Sequence, residues 1–476
     1  MTILNVLWSL LTICIIGYAF ALLIFRRARI SGVTLFLLSI GLGFGILAEF
    51  CYLFLMFSRK IPFQSLYSLI APSLILVLFM KRRAWGASWE SLASQCWELA
   101  RTFGKEPLPK RLLVLSAVVV VITIVAITSF NLVARPAYQF DSRAIWLQKA
   151  KILYHERTIF SDAVVDIARN HPHPRYPLLL PMTQSWVFYH MQETDDRAGR
   201  LLFLLFFVGL LAATYELSKT ESTKRVAAFS LFLLLLVPFM YSGILPGTAS
   251  GYADLILSFY ITSSALMMAL WLKERKLVFV LAGAFLAAAC AMVKNEGLVF
   301  AGNLLILTAI FSLEKGWLAR RKEGVLLFFV ITGLLLAPAL SVRSRLPAFL
   351  DENYLAHATP AAIIAGVSRV PKTFSGFIRE FSDFSDWGVF WLLIGVAAVQ
   401  CVMTRRRIPL FILALILVQV FAYFAIFIIT PNDPAGQMRD ALSRLFYHVS
   451  SLGAALVAFQ LAPEKRMPPS SSQLRS

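Results

Sequence analysis

A carboxylate and an arginine, Asp141 and Arg143, stand in the sequence FDSRAIW (residues 140–146), shortly after a long apolar run. A carboxylate at this position could take the proton of a hydroxyl nucleophile as a general base. The structural alternative is that Asp141 caps a helix running from Ser142 to Tyr154, since Asp is favoured at helix N-termini. Taken alone the motif favours capping, and the two roles are compatible.

The sequence HPHPRYP (residues 171–177) offers a second group of candidate residues. Two histidines two positions apart, His171 and His173, could bind a metal ion. The prolines instead favour a stiff, extended turn, because each one fixes its own backbone and restricts the residue before it. The pattern therefore favours a rigid wall that presents Arg175 and Tyr176 to a substrate.

Three further charged residues flank apolar runs. Asp254 ends the sequence GYAD (251–254), and Lys294 and Glu296 stand in KNEG (294–297), a tight turn between two such runs. Ionisable residues at the mouth of a membrane bundle are costly and so indicate function. The alternative for Lys294 and Glu296 is a surface ion pair that contributes little.

Two arginines, Arg439 and Arg444, precede the last apolar run. The planar guanidinium group suits bidentate recognition of phosphate. Alternatively, both side chains reach from the end of a helix to the headgroup layer without binding a substrate.

The elements that must position these residues are membrane-spanning helices. The chain has 476 residues, and 59% of them are hydrophobic, which is too apolar for a soluble domain. Its continuous apolar runs match the roughly 17–25 residues that a helix needs to cross a bilayer. We expect an all-α, polytopic bundle of about thirteen transmembrane helices and no removable signal peptide. The predicted spans are 3–25, 33–57, 62–80, 112–134, 201–218, 226–244, 251–272, 277–293, 297–313, 324–341, 387–403, 408–430 and 446–462.

The net charge of +19 does not indicate nucleic-acid binding, because the basic residues form short clusters between apolar runs. That distribution is typical of cytoplasmic loops. Assigning alternate loops to the two sides predicts an N-terminus outside and a C-terminus in the cytoplasm. The same assignment puts Asp141, Arg175, Asp254, Glu296 and Arg444 together on the outer side.

The chain divides into three predicted parts: a three-helix membrane extension (1–110) with a basic cytoplasmic loop, a catalytic core (111–462) and a disordered cytoplasmic tail (463–476). Two long outer segments, 135–200 and 342–386, stand out, since long loops in compact proteins are usually functional or disordered. The first is rich in aromatic residues, and we expect short juxtamembrane helices there, along the membrane surface. Within the 81–110 loop, Trp85, Trp89 and Trp97 stand among basic residues and predict an interfacial helix.

Acids and arginines gathered at the outer lipid boundary suit a reaction in which a lipid phosphate leaves and a hydroxyl group accepts. Asp141 would be the general base, and the arginines would neutralise the charge that develops on the phosphate. One base with direct displacement inverts the carbon that is attacked, whereas retention needs a second carboxylate. Asp254 or Glu296 could supply that carboxylate only if the fold brings it close, so we expect inversion.

The order of these motifs resembles that of bacterial membrane glycosyltransferases of the GT-C superfamily. The segments that carry the resemblance are FDSRAIWLQKAK (140–151), HPRYPLLLP (173–181), GYAD, KNEG and SRL (443–445). The resemblance is greatest to the branch of the protein O-mannosyltransferases and the lipid A aminoarabinose transferases. It spans residues from about 135 onward, with the first three helices as an addition to the usual core.

The resemblance implies a multi-pass protein of the bacterial plasma membrane that uses a polyprenyl-phosphate sugar as donor on the outer face. The acceptor would be a lipid, a glycan or a protein. Asp141 stands where family members carry the acid that activates the acceptor. Basic residues in later loops of such enzymes hold the lipid phosphate, and Lys294, Arg439 and Arg444 are candidates for this role by position only. We expect no required cofactor. The need for a divalent cation stays open, because many members have two adjacent acids where this chain has Asp141-Ser142.

Three alternatives remain. A secondary transporter or lipid flippase would need charged or helix-breaking residues near the membrane centre, and the predicted spans are nearly free of charge. An O-antigen polymerase or ligase uses the same kind of donor and usually carries its main outer loop late in the chain, as at 342–386. A scaffold without catalysis would leave the clustered outer polar residues unexplained.

Overall fold

The computed structural model describes residues 2–77, 79, 101, 107–169, 171–241, 247–313, 318–348 and 358–462. Within these ranges the chain is helical and contains no β-strand. The main helices are α1 (Thr2–Ile24), α2 (Gly32–Phe57), α3 (Phe63–Val77), α4 (Leu108–Ala134), α5 (Gln148–Glu156), α6 (Leu179–Met191), α7 (Leu201–Lys219), α8 (Lys224–Leu235), α9 (Asp254–Glu274), α10 (Leu277–Val293), α11 (Asn295–Ile310), α12 (Leu318–Ser344), α13 (Pro360–Gly366), α14 (Val370–Phe381), α15 (Phe390–Thr404), α16 (Arg407–Ile429) and α17 (Pro434–Leu461).

Eight of the described helices are long and apolar enough to cross a membrane, namely those within α1, α2, α4, α7, α9, α12, α16 and α17. Four shorter apolar helices, α3, α10, α11 and α15, accompany them. Each of the thirteen predicted spans overlaps a helix. The predicted all-α, multi-pass architecture is therefore confirmed, while the number of helices that cross the membrane stays a prediction.

Two predicted spans differ most from the helices of the structure. The span 226–244 is a twelve-residue helix, α8, that ends just before Pro238, because proline cannot continue a helix and restricts the residue before it. The span 446–462 is the second half of α17, which begins at Pro434 with Asp433 as its N-cap. Its first turns are polar, so hydropathy alone places its start too late.

Helices α1 and α2 pack at very short range through glycine. A Cβ atom on Gly17 would lie 2.0 Å from the carbonyl oxygen of Ser39, and one on Gly43 would lie 2.3 Å from that of Ile13. Small residues at such crossings let helix backbones approach closely in membranes. The pair also contacts the core helices, since Tyr260 of α9 donates a 3.0 Å hydrogen bond to the carbonyl oxygen of Gly41.

The helices alternate in direction, which gives the bundle two ends. We call the site end the one where α4, α10 and α12 end and α9 and α11 begin; there Arg343 of α12 donates a 2.5 Å hydrogen bond to Asn295. At the opposite end, Lys273 of α9 lies 3.1 Å from Glu221, and Arg406 contacts the same carboxylate at 2.8 Å. The loops that the sequence assigns to the outer side and to the cytoplasmic side thus lie at opposite ends of the bundle. Which end faces outward stays a prediction.

The described part of the 135–200 segment contains the short helices that the sequence predicts, including α5 and α6. The helix that the sequence places from Ser142 to Tyr154 is confirmed, as a π-helical turn over Ser142–Leu147 followed by α5. Residues 80–100 and 102–106 of the predicted interfacial helix, and the predicted tail at 463–476, lie outside the described residues.

A buried ion cluster as candidate functional site

The guanidinium group of Arg444 joins two carboxylates that are far apart in sequence. Its Nη1 atom lies 2.7 Å from Asp141 Oδ2, and its Nε atom lies 3.0 Å from Asp254 Oδ2. The face of the guanidinium also lies over the ring of Tyr252, 4.2 Å from its centroid. Such charge-assisted contacts fix the orientation of both carboxylates.

Lys294 continues the cluster on the other side of Asp254. Its Nζ atom lies 2.8 Å from Asp254 Oδ1 and 3.0 Å from Glu296 Oε1. Burial disfavours the ammonium form, but the two carboxylates outweigh burial and raise the pKa of Lys294. The alternative of a surface ion pair is therefore wrong, because the side chain of Lys294 is only 5% exposed.

His448 and Tyr423 extend the cluster into the bundle. His448 Nε2 lies 2.7 Å from Asp254 Oδ1, and His448 Nδ1 lies 3.0 Å from the hydroxyl of Tyr423. If the neutral ring donates from Nε2 to the carboxylate, Nδ1 must accept from the tyrosine. Neither residue is among the predicted site residues. His448 could have been found from its position, because it lies one helical turn after Arg444 and so on the same face of α17.

The local backbone explains how Asp254 reaches this position. Gly251 has φ +79°, and a Cβ atom there would lie 2.5 Å from Ser142 Oγ. Glycine therefore permits both the left-handed turn and the close approach of the 142–147 segment. Asp254 then opens α9, where the positive end of the helix dipole favours a carboxylate.

Asp141 does not cap the following helix, so the prediction of a capping role is wrong. Its own backbone is helical, and its side chain makes no capping hydrogen bond. It instead turns to Arg444, and the residues that follow, Ser142–Leu147, form a π-helical turn. Such turns occur frequently at functional sites. With 26% of its side chain exposed, Asp141 is more open than Asp254, which is 1% exposed.

Tyr252 lies between the cluster and the surface. Burial, with a smaller contribution from Asp141, raises the pKa of its hydroxyl to about 12. The hydroxyl therefore stays protonated at neutral pH and donates a 3.3 Å hydrogen bond to Gln139 Oε1.

Arg143 points away from the cluster into an open cavity of about 600 Å³. Its other lining residues include Tyr138, Phe140, Leu147 and Lys151. Positions 143, 147 and 151 are four residues apart and so share one helical face. The π-helical turn and α5 thus present two cations, Arg143 and Lys151, to a cavity that Asp196 also lines.

Arg175 and Tyr176 line a second, small cavity of about 30 Å³, together with Tyr52 and Arg343. Arg175 Nε donates a 2.7 Å hydrogen bond to the carbonyl oxygen of Leu346. The ring of Tyr176 stacks on His173, with 4.5 Å between centroids. This segment is a non-helical turn, as the prolines predict.

The structure therefore brings together five of the nine predicted site residues: Asp141, Asp254, Lys294, Glu296 and Arg444. Arg143, Arg175 and Tyr176 line cavities beside the cluster. Arg439 is exposed on α17 and, among the described residues, forms no hydrogen bond with the cluster. Within the described ranges no group of three His, Cys, Asp or Glu side chains is placed to hold a metal ion.

The cluster contains three carboxylates and two permanent cations, and its most exposed acid is Asp141. Asp254 receives contacts from Arg444, Lys294 and His448 and is fully engaged. A carboxylate that is oriented by an arginine and open to one side can accept a proton from a bound hydroxyl group. Among the described residues, Asp141 is the only cluster carboxylate that both contacts an arginine and has a partly exposed side chain.

No family model matches this sequence, and no curated protein matches it. Among solved structures, the chain is similar to the archaeal oligosaccharyltransferase AglB from Archaeoglobus fulgidus, determined in complex with an inhibitory peptide and a dolichol-phosphate. The TM-score is 0.45 and the sequence identity 11%, over 72% of this chain and 50% of that one. The chain thus spans half the length of that relative.

Proposed function

We propose that this protein is a membrane glycosyltransferase that moves a sugar from a polyprenyl-phosphate donor to a hydroxyl acceptor, with Asp141 as the general base. The observation that carries the proposal is the setting of Asp141. It is the most exposed acid of the ion cluster, with 26% of its side chain exposed against 19% for Glu296 and 1% for Asp254, and Arg444 orients it at 2.7 Å. A carboxylate needed only for helix capping would not require this support from α9 and α17.

In the proposed reaction Asp141 takes the proton of the acceptor hydroxyl, whose oxygen attacks the anomeric carbon of the donor sugar. The bond from that carbon to the phosphate oxygen breaks, and the lipid phosphate leaves with the electron pair. A retaining route would need a second carboxylate as nucleophile. Asp254 is poorly suited to that role, since it is 1% exposed and held by Arg444 and Lys294. This supports inversion.

The proposal gives the cations of the site two different roles. Arg444 and Lys294 are already paired with carboxylates, so we assign them to positioning the acids. Arg143 of the π-helical turn and Lys151 of α5 line the open cavity, and we assign them to the donor phosphate. Positive groups aimed at a departing phosphate stabilise the charge that develops there.

The reaction would take place at the extracytoplasmic face of a bacterial plasma membrane, with the N-terminus outside and the C-terminus in the cytoplasm. A lipid, a glycan or a protein could supply the acceptor hydroxyl. Reporter enzymes fused after Arg143 and after Asn295 would test this orientation, because both positions must then lie outside.

The decisive experiment measures sugar transfer by the purified protein in detergent, with a panel of polyprenyl-phosphate sugars as donors. Asp141→Asn should lower the rate by about 10²–10⁴-fold, the usual contribution of a general base. Asp162→Asn is the matched control, because Asp162 is an exposed acid in the same outer segment and should keep the wild-type rate. Normal turnover by Asp141→Asn would exclude the proposed role.

One observation favours a second candidate function, a proton-coupled transporter of lipid-linked or small polar substrates. The contacts from Asp254 through His448 to Tyr423 run into the bundle, and intramembrane ionisable chains can relay protons. Proteoliposomes containing a pH-sensitive dye would report proton flux when such substrates are added. Flux without any sugar transfer by the folded protein would favour this candidate.

A further inference from the structure

Residues 360–381 form a helical segment with a stripe of large apolar side chains on its outer face. We call these residues the apolar stripe, and their exposed fractions are Ile363 47%, Ile364 73%, Val367 61%, Val370 37%, Phe374 59% and Ile378 51%. Ile363 and Ile364 are adjacent, and from Ile364 onward the residues recur every three or four positions, so they lie on one side of the helical segment. A contiguous exposed apolar surface of this kind indicates an interaction site.

A second face of the same segment packs on the bundle. Thr373, Gly376 and Phe377 are buried, and the ring of Phe377 lies 5.5 Å from that of Phe446 in α17. A Cβ atom on Gly376 would lie 2.7 Å from the sulfur of Met438. The segment is therefore held firmly against α17 at the site end, and its apolar stripe does not face the core.

A third face is polar and exposed. It carries Ser368, Lys372, Ser375 and Arg379, and Lys372 lies 3.7 Å from Asp433 at the surface. The segment thus has one side on protein, one side that is polar and one side that is apolar and uncovered. A helix lying at a membrane surface beside a protein needs this threefold division, with its polar side in water and its apolar side in the acyl chains.

Neighbouring parts of the chain also expose large apolar side chains. Phe384 and Val389 follow it in sequence and are 63% and 52% exposed. On α15, Leu392 and Val396 are 64% and 52% exposed, and on α16 Phe421 is 68% exposed. Helix α16 is one of the candidate membrane spans, so the lipid that surrounds it extends naturally over the stripe.

We propose that residues 360–381 lie in the membrane–water boundary at the site end, with the apolar stripe immersed in the lipid acyl chains. The bound partner is the lipid surface itself. Because Gly376 packs on α17, the membrane surface thereby braces the helix that carries Arg444 and His448. This inference does not depend on the glycosyltransferase proposal.

The test uses the full chain in lipid nanodiscs, with the native cysteines replaced and a nitroxide label attached to one new cysteine at a time. Phe374→Cys and Ile378→Cys report on the apolar stripe, and their neighbours Ser375→Cys and Arg379→Cys report on the polar face. Oxygen concentrates in lipid and a nickel chelate in water. We expect the labels at 374 and 378 to collide more with oxygen, and those at 375 and 379 to collide more with the chelate.

Equal access of the chelate to all four labels would show that the stripe faces water and would overturn the inference. Little collision with either reagent at 374 and 378 would show that protein covers the stripe, which would also overturn it. Each face has two labelled positions, so one variant that does not fold can be replaced by its partner. Sugar transfer plays no part in this measurement, so its outcome is independent of that of the Asp141→Asn assay.

Discussion

Helix α10 has a lysine at each end, and the two lysines differ sharply in their surroundings. Lys276 at the opposite end lies 2.7 Å from Glu274, and the two side chains are 49% and 37% exposed. Lys294 at the site end lies 2.8 Å from Asp254, with side chains 5% and 1% exposed. The ion pairs are almost equal in length, so distance does not distinguish them.

Burial is what separates these two pairs. In water the Lys276 pair gains little, because solvent and salt screen it and two flexible side chains must be ordered. The Lys294 pair has given up its hydration, and Lys294 also contacts Glu296, so its removal leaves two largely buried carboxylates with less positive charge to balance them. The site end is thus built to hold charges in fixed positions, and the opposite end is built to keep charges in water.

The largest expected effect comes from replacing each lysine with methionine. Lys294→Met should lower the free energy of unfolding by about 3–5 kcal/mol, the usual cost of breaking a buried pair. Lys276→Met should change it by less than about 1 kcal/mol. Thermal unfolding of the two variants in the same detergent measures both effects. Equal shifts would contradict the comparison.

His448 offers a test of the same end through activity. His448→Leu removes the hydrogen bond to Asp254, and a bond to a charged group is worth roughly 1.5–3 kcal/mol. If that bond helps to hold Arg444 and Asp141, the rate of sugar transfer should fall about 10–100-fold with little change in the KM for the donor. His448→Gln can still donate to Asp254 and should restore part of the rate. If His448→Leu only lowered the yield of folded protein, and the folded fraction turned over normally, His448 would have no positioning role.

Two glycines of α11, Gly297 at the site end and Gly302 further along, test how tightly the backbone packs around Lys294. A Cβ atom there would lie 2.0 Å from the carbonyl oxygen of Cys290, whereas a Cβ atom on Gly302 in the same helix would meet nothing within 4 Å. Gly297→Ala should therefore cost about 1–3 kcal/mol through overpacking. Gly302→Ala should be neutral or slightly stabilising. Thermal unfolding of the pair shows whether the turn around Lys294 tolerates movement.

The smallest expected effect concerns pH. Burial, helped by the charge of Lys149, lowers the pKa of His171 to about 4, from 6.5 for an ordinary histidine. Between these values the unfolded chain binds a proton that the folded protein does not, so stability falls as pH drops through this window. His171→Gln lacks this contribution. Its melting temperature should fall less than that of the wild type between pH 6.5 and 4, and parallel curves would contradict the assignment.

Much of the fold could be predicted from the sequence, because the length of an apolar run is a direct measure of what can cross lipid. The predicted helix ends are wrong where a helix and an apolar run do not begin or end at the same residue. Helix α17 begins twelve residues before its apolar part, since Arg439, Asp440 and Arg444 lower the local hydropathy while Asp433 and Pro434 start the helix. Likewise, Pro238 ends α8 inside an apolar run.

For the site, loop charge was enough to group Asp141, Asp254, Glu296 and Arg444 at one end of the bundle. It could not show which of them touch, because those contacts depend on side-chain directions in helices far apart in sequence. The role of Asp141 shows this limit clearly. Local sequence favours capping, and only the position of α17 turns its carboxylate toward Arg444. Tyr423 lies within an apolar run and gave no local signal.

Asp141 and Arg444 are 303 positions apart in the sequence, and this separation has a consequence for how the protein is made. Asp141, Asp254, Lys294 and Glu296 are synthesised and inserted before the ribosome reaches α17. Until Arg444 and His448 arrive, Asp254 has only Lys294 as a cationic partner, and Asp141 lacks its arginine. Arrival of α17 therefore completes the charge balance, and a nascent chain stopped before it would present an unpaired acid to the quality-control proteases of the membrane.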